Sequence, residues 1–355
     1  MSKHADSCRA TAVFFGTPDF ALPSLEAAVR TTKVMAVVTQ PDRPRGRGQK
    51  LSACPVKTRA LELGLKVFSP ASLKKESPEL AELKAVLMSE RPDYFFVTAY
   101  GNLLPQGFLD LPKMIPINVH ASLLPKWRGA APIQRSLEAG DEKTGVCLQR
   151  MVMELDAGNV LLEASIKLSS EHNAESLSRE LSVLGGILLE RFMREAEKAD
   201  PGSEFFRGIA QAASQISIAP KISKDEGFYR LNWSAQTFHN KVRAFRLWPK
   251  VEALFCSASD EVAGLRLKIL KTAVVTDLVA EQRDRFLKLD PGQILIESDR
   301  VLVKCAEATE ATDEAEDGRA LCLLEVQPEN RGPVEASSYF QNHSRKTTLL
   351  LKPVL

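Results

Sequence analysis

TAVFFGTPDFALPSLEAAVRTTKVMAVVTQ, Thr11 to Gln40, holds two short apolar runs with an amphipathic stretch between them. TAVFFG (11–16) and VMAVVTQ (34–40) are rich in β-branched and aromatic residues, so each reads as a buried strand. DFALPSLEAAVR has helical spacing. The pattern then repeats. DYFFVTAYG (93–101) and IPINVH (115–120) read as strands, while PVKTRALELGL and SPELAELKAVLMSE read as helices, the second with Ser77 as N-cap and Pro78 in the first helical position. Alternating strands and helices predict a doubly wound, mostly parallel, Rossmann-like α/β domain with both sheet faces covered. Ligands on such sheets bind beyond the carboxyl ends of the strands. GTPDF and NVHASLLP both fall on that side.

After about residue 205 the texture changes. TFHNKVRAFRLW (237–248) reads as one helix, but LRLKIL, QILIES, RVLVKC and LCLLEV are short strand-like runs separated by turns, the pattern of a smaller β-barrel. The expected division is a catalytic domain over 10–205, a linker over 206–225 where Pro220 interrupts any helical period, and a C-terminal barrel-like domain over 226–355. The acidic run EATEATDEAEDG (307–318) reads as an exposed loop.

With 355 residues, 44% hydrophobic and 26% charged, the chain has ordinary globular usage and room for two cores. Its 47 basic and 45 acidic residues give a net charge of only +2, so attraction to nucleic acid must come from local clusters. Six scattered cysteines without a C-x-x-C pair, and dispersed histidines, fit free thiols in a reducing compartment and argue against a metal site. No apolar stretch is long enough to span a membrane, and MSKHADSCRA lacks a signal-peptide core. The expectation is a cytoplasmic protein.

Three segments carry chemistry. Asn118, His120 and Ser122 alternate along a strand exit and would share one face. An amide, an imidazole and a hydroxyl suit a reaction in which a carbonyl oxygen gains negative charge. The other reading is a set of polar residues that ties down the next loop. Asp156, in VMELDAGNVL, is by itself an ordinary turn residue. Beside His120 it would orient the imidazole and stabilise its cationic form. The third segment, QPDRPRGRGQKLSACPVKTR, has six basic and no acidic residues between Arg43 and Arg59, with Pro44, Gly46 and Gly48 barring a helix. It reads as a cationic surface loop suited to phosphate. Lys241, Arg243, Arg246 and Lys250 form a second basic group around Phe245 and Trp248. Cations interleaved with aromatics can hold a nucleic-acid backbone.

Taken in order, FFGTPDFALPSL, VVTQPDRPRGRGQKL, VTAYGNLLP, INVHASLLPKWRGAAPIQRSLEAGDEKTGV and MELDAGNVL resemble the folate-dependent formyltransferase family. The basic loop narrows the resemblance to its methionyl-tRNA formyltransferase branch, and the similarity runs from about Val13 to Pro249. The resemblance implies transfer of the formyl group of 10-formyltetrahydrofolate to the α-amino group of methionine on initiator tRNA, by a monomer, without a metal. It places the catalytic set at Asn118, His120 and Asp156. It assigns the folate site to Ser122, Leu123, Leu124 and Pro125, with Leu103 and Leu104 as an apolar wall. It assigns tRNA contacts to Arg43, Arg45, Arg47 and Lys50, and an OB-like C-terminal domain adds Lys241 and Arg243. Asn232 before Trp233, the single Arg331 between Glu329 and Glu335, and the acidic insert depart from the family pattern. A formyltransferase acting on a small amine would share the catalytic set but need neither the basic loop nor the barrel. An inactive tRNA-binding relative is the alternative outside enzymology.

Overall fold

A computed structural model of the protein describes residues 9–45, 50–257, 264–297, 299–307, 319–341 and 349–354. The chain divides into two units. One comprises Met1–Pro132, Lys143–Lys167 and Ser178–Pro220, the other Ile133–Glu142, Leu168–Leu177 and Lys221–Leu355.

The first unit contains strands β1 (Thr11–Gly16), β2 (Lys33–Val38), β3 (Arg43–Arg45), β4 (Lys50–Ser52), β5 (Val67–Phe68), β6 (Tyr94–Thr98), β7 (Ile115–His120), β8 (Arg128–Gly129), β9 (Lys143–Arg150), β10 (Val160–Lys167) and β11 (Ile218–Ala219). Seven of them form one sheet in the order β10-β9-β7-β6-β1-β2-β5. Strands β5, β2, β1, β6 and β7 run parallel. The β9–β10 hairpin continues the sheet antiparallel. From β1 the chain builds outward to β2 and β5, then crosses to the other side for β6 and β7, so the strand order reverses between β1 and β6. That is the switch point where a crevice opens beyond the carboxyl ends.

Local chemistry explains the helices. The helix Pro78–Glu90 starts where the Ser77 side chain accepts the Leu80 N–H at 3.2 Å, with Pro in the first turn, as the sequence predicts. Phe15 packs against Phe95 and Tyr100 in a core that also takes in Leu80, Leu83 and Leu87 from this helix. A long helix, Ala174–Ala196, lies against β7 and the helix Leu22–Thr31 through a glycine pair. A Cβ on Gly185 would come within 2.9 Å of Val119, and one on Gly186 within 2.8 Å of the Pro23 carbonyl oxygen. The approach requires glycine and fixes the strand that carries Asn118 and His120.

The second unit contains β12 (Val251–Ser257), β13 (Leu265–Val275), β14 (Gln293–Glu297), β15 (Arg300–Val303), β16 (Ala320–Pro328), β17 (Val334–Glu335) and β18 (Leu349–Lys352). They pair antiparallel in the order β13-β12-β18-β14-β15-β16-β17, and β13 also pairs with β16, which closes the sheet into a barrel. Closure removes the open edges of the ring. Phe286, Leu302, Ala320 and Cys322 form one of its buried clusters.

Two local expectations change. The helix expected to run to Trp248 spans Ala235–Ala244, capped by Ser234. Beyond it the Lys250 N–H returns to the Phe245 carbonyl at 2.9 Å, and Pro249 disfavours helix at the residue before it. The segment read as a connector over 206–225 is also partly ordered by pairing: β11 runs parallel to β8. Of the acidic run, residues 308–318 lie outside the described residues.

Candidate active site

Strand β7 delivers Asn118 and His120 from the same face at its carboxyl end. The antiparallel β9 sets Gln149 directly opposite Asn118 and Cys147 opposite His120. Asp156 sits in the β9–β10 connection with φ of 51°, a left-handed conformation that Asp tolerates better than most residues. Two residues on, a Cβ at Gly158 would lie 1.6 Å from the Arg150 carbonyl oxygen, so the turn closes only with glycine there. The L-D-A-G sequence is thus a geometric device that returns a carboxylate to the strand end.

The carboxylate is tightly held. Oδ1 of Asp156 accepts from Gln149 Nε2 at 2.8 Å and from Asn118 Nδ2 at 3.4 Å. Oδ2 accepts the Gly129 N–H at 2.9 Å. The His120 Nδ1 edge faces Oδ1 at 3.6 Å, with both side chains almost buried. Nε2 of His120 lies 3.0 Å from the Trp127 carbonyl oxygen. A carbonyl only accepts, so Nε2 carries hydrogen and Nδ1 is the nitrogen turned to Asp156. Asn118 keeps one amide hydrogen beyond the one given to Asp156.

A second ring of contacts fixes these groups. Gln211 donates Nε2 to the carbonyl oxygens of Asp156 (2.8 Å) and Gly158 (2.7 Å), and its Oε1 accepts from Arg128 Nε at 2.9 Å. Ser217 Oγ accepts the Trp127 N–H at 3.0 Å. Gly129 has φ of 125°, and a Cβ there would meet the Ala219 carbonyl oxygen at 2.6 Å, so the W-R-G turn also needs its glycine. Burial pushes the neighbouring Cys147 thiol up to about 12, so it is neutral at pH 7 and no nucleophile.

The structure therefore brings Asn118, His120 and Asp156 together and leaves Ser122 out. Ser122 is fully buried and donates Oγ to the Lys126 carbonyl at 2.6 Å, closing the loop after β7. The strand ends at His120, so the alternation that would have aligned Ser122 is lost. In the same loop the Leu124 N–H points to the Cys147 sulfur, the Leu124–Pro125 peptide is cis, and Leu123 is half-buried. Of the expected apolar wall, Leu103 is 64% exposed, whereas Leu104 is buried in the core with Phe15 and Phe95. Sequence reading missed Gln149, Gln211 and the Gly129 amide. Only the glycine carried a signal, its place in a W-R-G-A-A turn.

Closer to the switch point, Thr17 Oγ1 donates to the Tyr100 carbonyl at 2.9 Å and accepts the Gln40 N–H at 3.3 Å, tying the exits of β1, β2 and β6. Arg43 donates to Gln40 Oε1 at 3.2 Å, and the amide nitrogens of Gln40 and Asn102 are buried without a partner. Arg43 itself is exposed at the start of the β3–β4 hairpin, which also carries Arg45 and Lys50. Arg47 lies outside the described residues.

The second basic group behaves differently. Lys241 is ion-paired with Glu138 and covers the rings of Trp233 and Phe245, and Glu138 in turn pairs with Arg135 at 2.7 Å. Arg243 donates to the carbonyl oxygens of Ser169 and His172 and to Asn240. Both were expected to contact tRNA, and both side chains engage acceptors of the protein itself. Helical spacing places them but does not say which acceptors fold against them. Among the described residues no group of three His, Cys, Asp or Glu could hold a metal ion, and no helix is long and apolar enough to cross a membrane.

A mostly parallel α/β sheet with an amide, an imidazole and a carboxylate converging at a strand exit defines an enzyme of group transfer to or from a carbonyl. Residues 10–192 match the family model described as "Formyl transferase", and residues 221–344 match "Formyl transferase, C-terminal domain". A methionyl-tRNA formyltransferase of Methylococcus capsulatus is 38% identical over 94% of this chain and 96% of its own length. One from Xanthomonas campestris pv. campestris is 42% identical over 81% of this chain and 85% of its own. The chain belongs to the methionyl-tRNA formyltransferase family. In fold it resembles an N-formyltransferase from Helicobacter canadensis solved with folinic acid and dTDP-3-aminofucose, with a TM-score of 0.57 and 14% identity over 90% of this chain and 99% of that one.

Proposed function

We propose that the chain transfers the formyl group of 10-formyltetrahydrofolate to the α-amino group of methionyl initiator tRNA. The observation that carries the reading is the convergence of Asn118 and His120 on the Asp156 carboxylate at the end of β7. Asn118 offers its remaining amide hydrogen, and His120 an imidazole N–H, to the oxygen of the formyl group as the amine adds to its carbon. Asp156 holds both donors and receives the proton that the attacking nitrogen sheds, directly or through one water. Collapse of the tetrahedral intermediate breaks the bond to the folate nitrogen, which takes up a proton, and leaves an N-formyl amide on methionine. The negative charge develops on one oxygen, which hydrogen-bond donors can stabilise, and the reading assigns no metal.

Folate would lie along the loops after β6 and β7, with Leu103 against the pterin and the Ser122–Pro125 turn shaping the pocket, mainly through its backbone. Arg43, Arg45, Arg47 and Lys50 would grip the acceptor end of the tRNA. Residues 10–205 would form the catalytic domain, 206–225 a connector and 226–355 an OB-like domain, acting as a cytoplasmic monomer.

The test is formyl transfer from 10-formyltetrahydrofolate to methionyl initiator tRNA and, separately, to a small free amine. Transfer to the charged tRNA alone is the expected result. Transfer to the small amine alone would overturn the acceptor, and transfer to neither would overturn the activity.

A further inference from the structure

Residues 209–219 fall in the segment expected to be a connector, yet they hydrogen-bond to both turns that flank the catalytic set. Gln211 closes onto Asp156 and Gly158, and Ser217 grips the turn that follows Pro125. Ser217 does so with three groups. Its N–H donates to the Pro125 carbonyl at 3.3 Å, its Oγ accepts the Trp127 N–H at 3.0 Å, and its carbonyl accepts the Arg128 N–H at 2.9 Å. Trp127, between these contacts, has φ of 63°, a left-handed conformation that is unfavourable for a bulky side chain. Such a backbone persists only where its surroundings hold it.

The C=O and N–H of a trans peptide point in opposite directions. With the Arg128 N–H tied to Ser217, the Trp127 carbonyl points the other way, where it meets His120 Nε2 at 3.0 Å. A neutral imidazole carries one hydrogen, and this carbonyl can only accept it. The hydrogen therefore belongs on Nε2, which leaves Nδ1 bare toward Asp156 Oδ1, 3.6 Å away. Without the carbonyl neither the tautomer nor the ring orientation is set, because rotation of a histidine ring about χ2 is broad and two-fold.

We propose that Ser217 is a positioning residue for His120: through the left-handed Trp127 it aims a carbonyl at the ring and holds the neutral imidazole in its Nε2–H tautomer. The two acceptors beside the ring compete for one hydrogen. The Asp156 carboxylate would draw it to Nδ1, but at 3.6 Å, and already engaged by Gln149, Asn118 and the Gly129 amide, it is the weaker partner. The Trp127 carbonyl wins while Ser217 keeps it in place. The kinetic consequence rests on the role in formyl transfer proposed for His120; the tautomer does not.

The test is long-range proton–nitrogen correlation NMR on the full chain, isotope-labelled at the imidazole nitrogens and held where the ring is neutral, with His120 assigned by the signal lost in His120→Gln. Ser217→Ala and Ser217→Thr are compared with the wild type, and melting temperatures report their folding. A single His120 tautomer with hydrogen on Nε2 is expected in the wild type. Ser217→Ala should shift hydrogen toward Nδ1 and lower kcat for formyl transfer about tenfold with KM for the charged tRNA unchanged, the effect of one lost hydrogen bond. Ser217→Thr keeps the hydroxyl and should restore both. Hydrogen on Nδ1 in the wild type would overturn the proposal, whatever the variants do to folding. So would a Ser217→Ala protein that melts lower but keeps the wild-type tautomer and kcat, the mark of a merely structural contact. A wild type that formylates no tRNA would overturn the formyl-transfer reading instead, and the tautomer pattern would still decide the part played by Ser217.

Discussion

Two sets of polar residues, equally visible in the sequence, meet opposite fates in the fold. At the exit of β7, Asn118 and His120 converge on Asp156, and Asn118 keeps a second amide hydrogen. On the helix Ala235–Ala244, Lys241 and Arg243 are drawn to Glu138 and to backbone carbonyls. The difference lies in the scaffold. A strand end has no next turn to absorb its polar groups, whereas a helix face covered by neighbouring segments supplies acceptors for its own cations. Basic residues near aromatics are therefore weaker pointers to a nucleic acid than polar residues at the carboxyl edge of a parallel sheet.

The comparison breaks most sharply at the carboxylate. Asp156→Ala should slow single-turnover formyl transfer by at least about 10²- to 10³-fold, because two oxyanion donors lose their common anchor, while tRNA affinity stays near wild type. A matching loss of tRNA affinity would move Asp156 from the chemistry to the binding surface. Gln149→Leu comes next. It removes the 2.8 Å hydrogen bond to Asp156 Oδ1, and kcat should fall about tenfold with KM little changed, the value of one hydrogen bond to a charged group. An unchanged kcat would show that the Gly129 amide and Asn118 hold the carboxylate alone.

The cations sharpen the contrast. Arg43→Ala should lower the slope of log affinity for tRNA against log salt by about one and leave the melting temperature unmoved. Lys241→Met should do the reverse, costing about 1 kcal/mol of stability through the lost ion pair to Glu138, which keeps Arg135 as its partner, and leaving the salt slope alone. Equal salt slopes in both variants would return Lys241 to the binding surface.

The smallest effect is a gradual one in acid. Burial raises the Glu226 pKa, but hydrogen bonds from Arg135 and Ser223 and the Arg135 charge outweigh it, bringing the group from 4.5 to about 2. A depressed carboxylate contributes stability that is present above its unfolded value and lost as pH falls through the folded one. Denaturant midpoints should therefore drop between about pH 4.5 and about pH 2, and less steeply in Glu226→Gln. Parallel pH profiles for the two proteins would remove Glu226 from this role.

Much of the site was legible before any coordinates. Strand period, helix caps and the break after Val119 and His120 are local properties, so β1, β6, β7 and the helix capped by Ser77 follow from their own residues. The glycine of L-D-A-G likewise marks a turn without reference to anything distant. Ser122 read as a third site residue because strand alternation was extended one step too far, past the point where its hydroxyl closes the loop onto Lys126.

What the sequence by itself determined is the alternation that makes a doubly wound sheet, the edge on which chemistry falls, and the types of group available there. Only the tertiary structure decided which of them meet. Gln149 reaches Asp156 because β9 runs antiparallel beside β7, and Gln211 clamps the same turn from 55 residues away along the chain. Lys241 is held by Glu138 across 103 residues. Such contacts depend on strand register and on how distant segments pack, and neither is written in the residues within one helix or strand of each other.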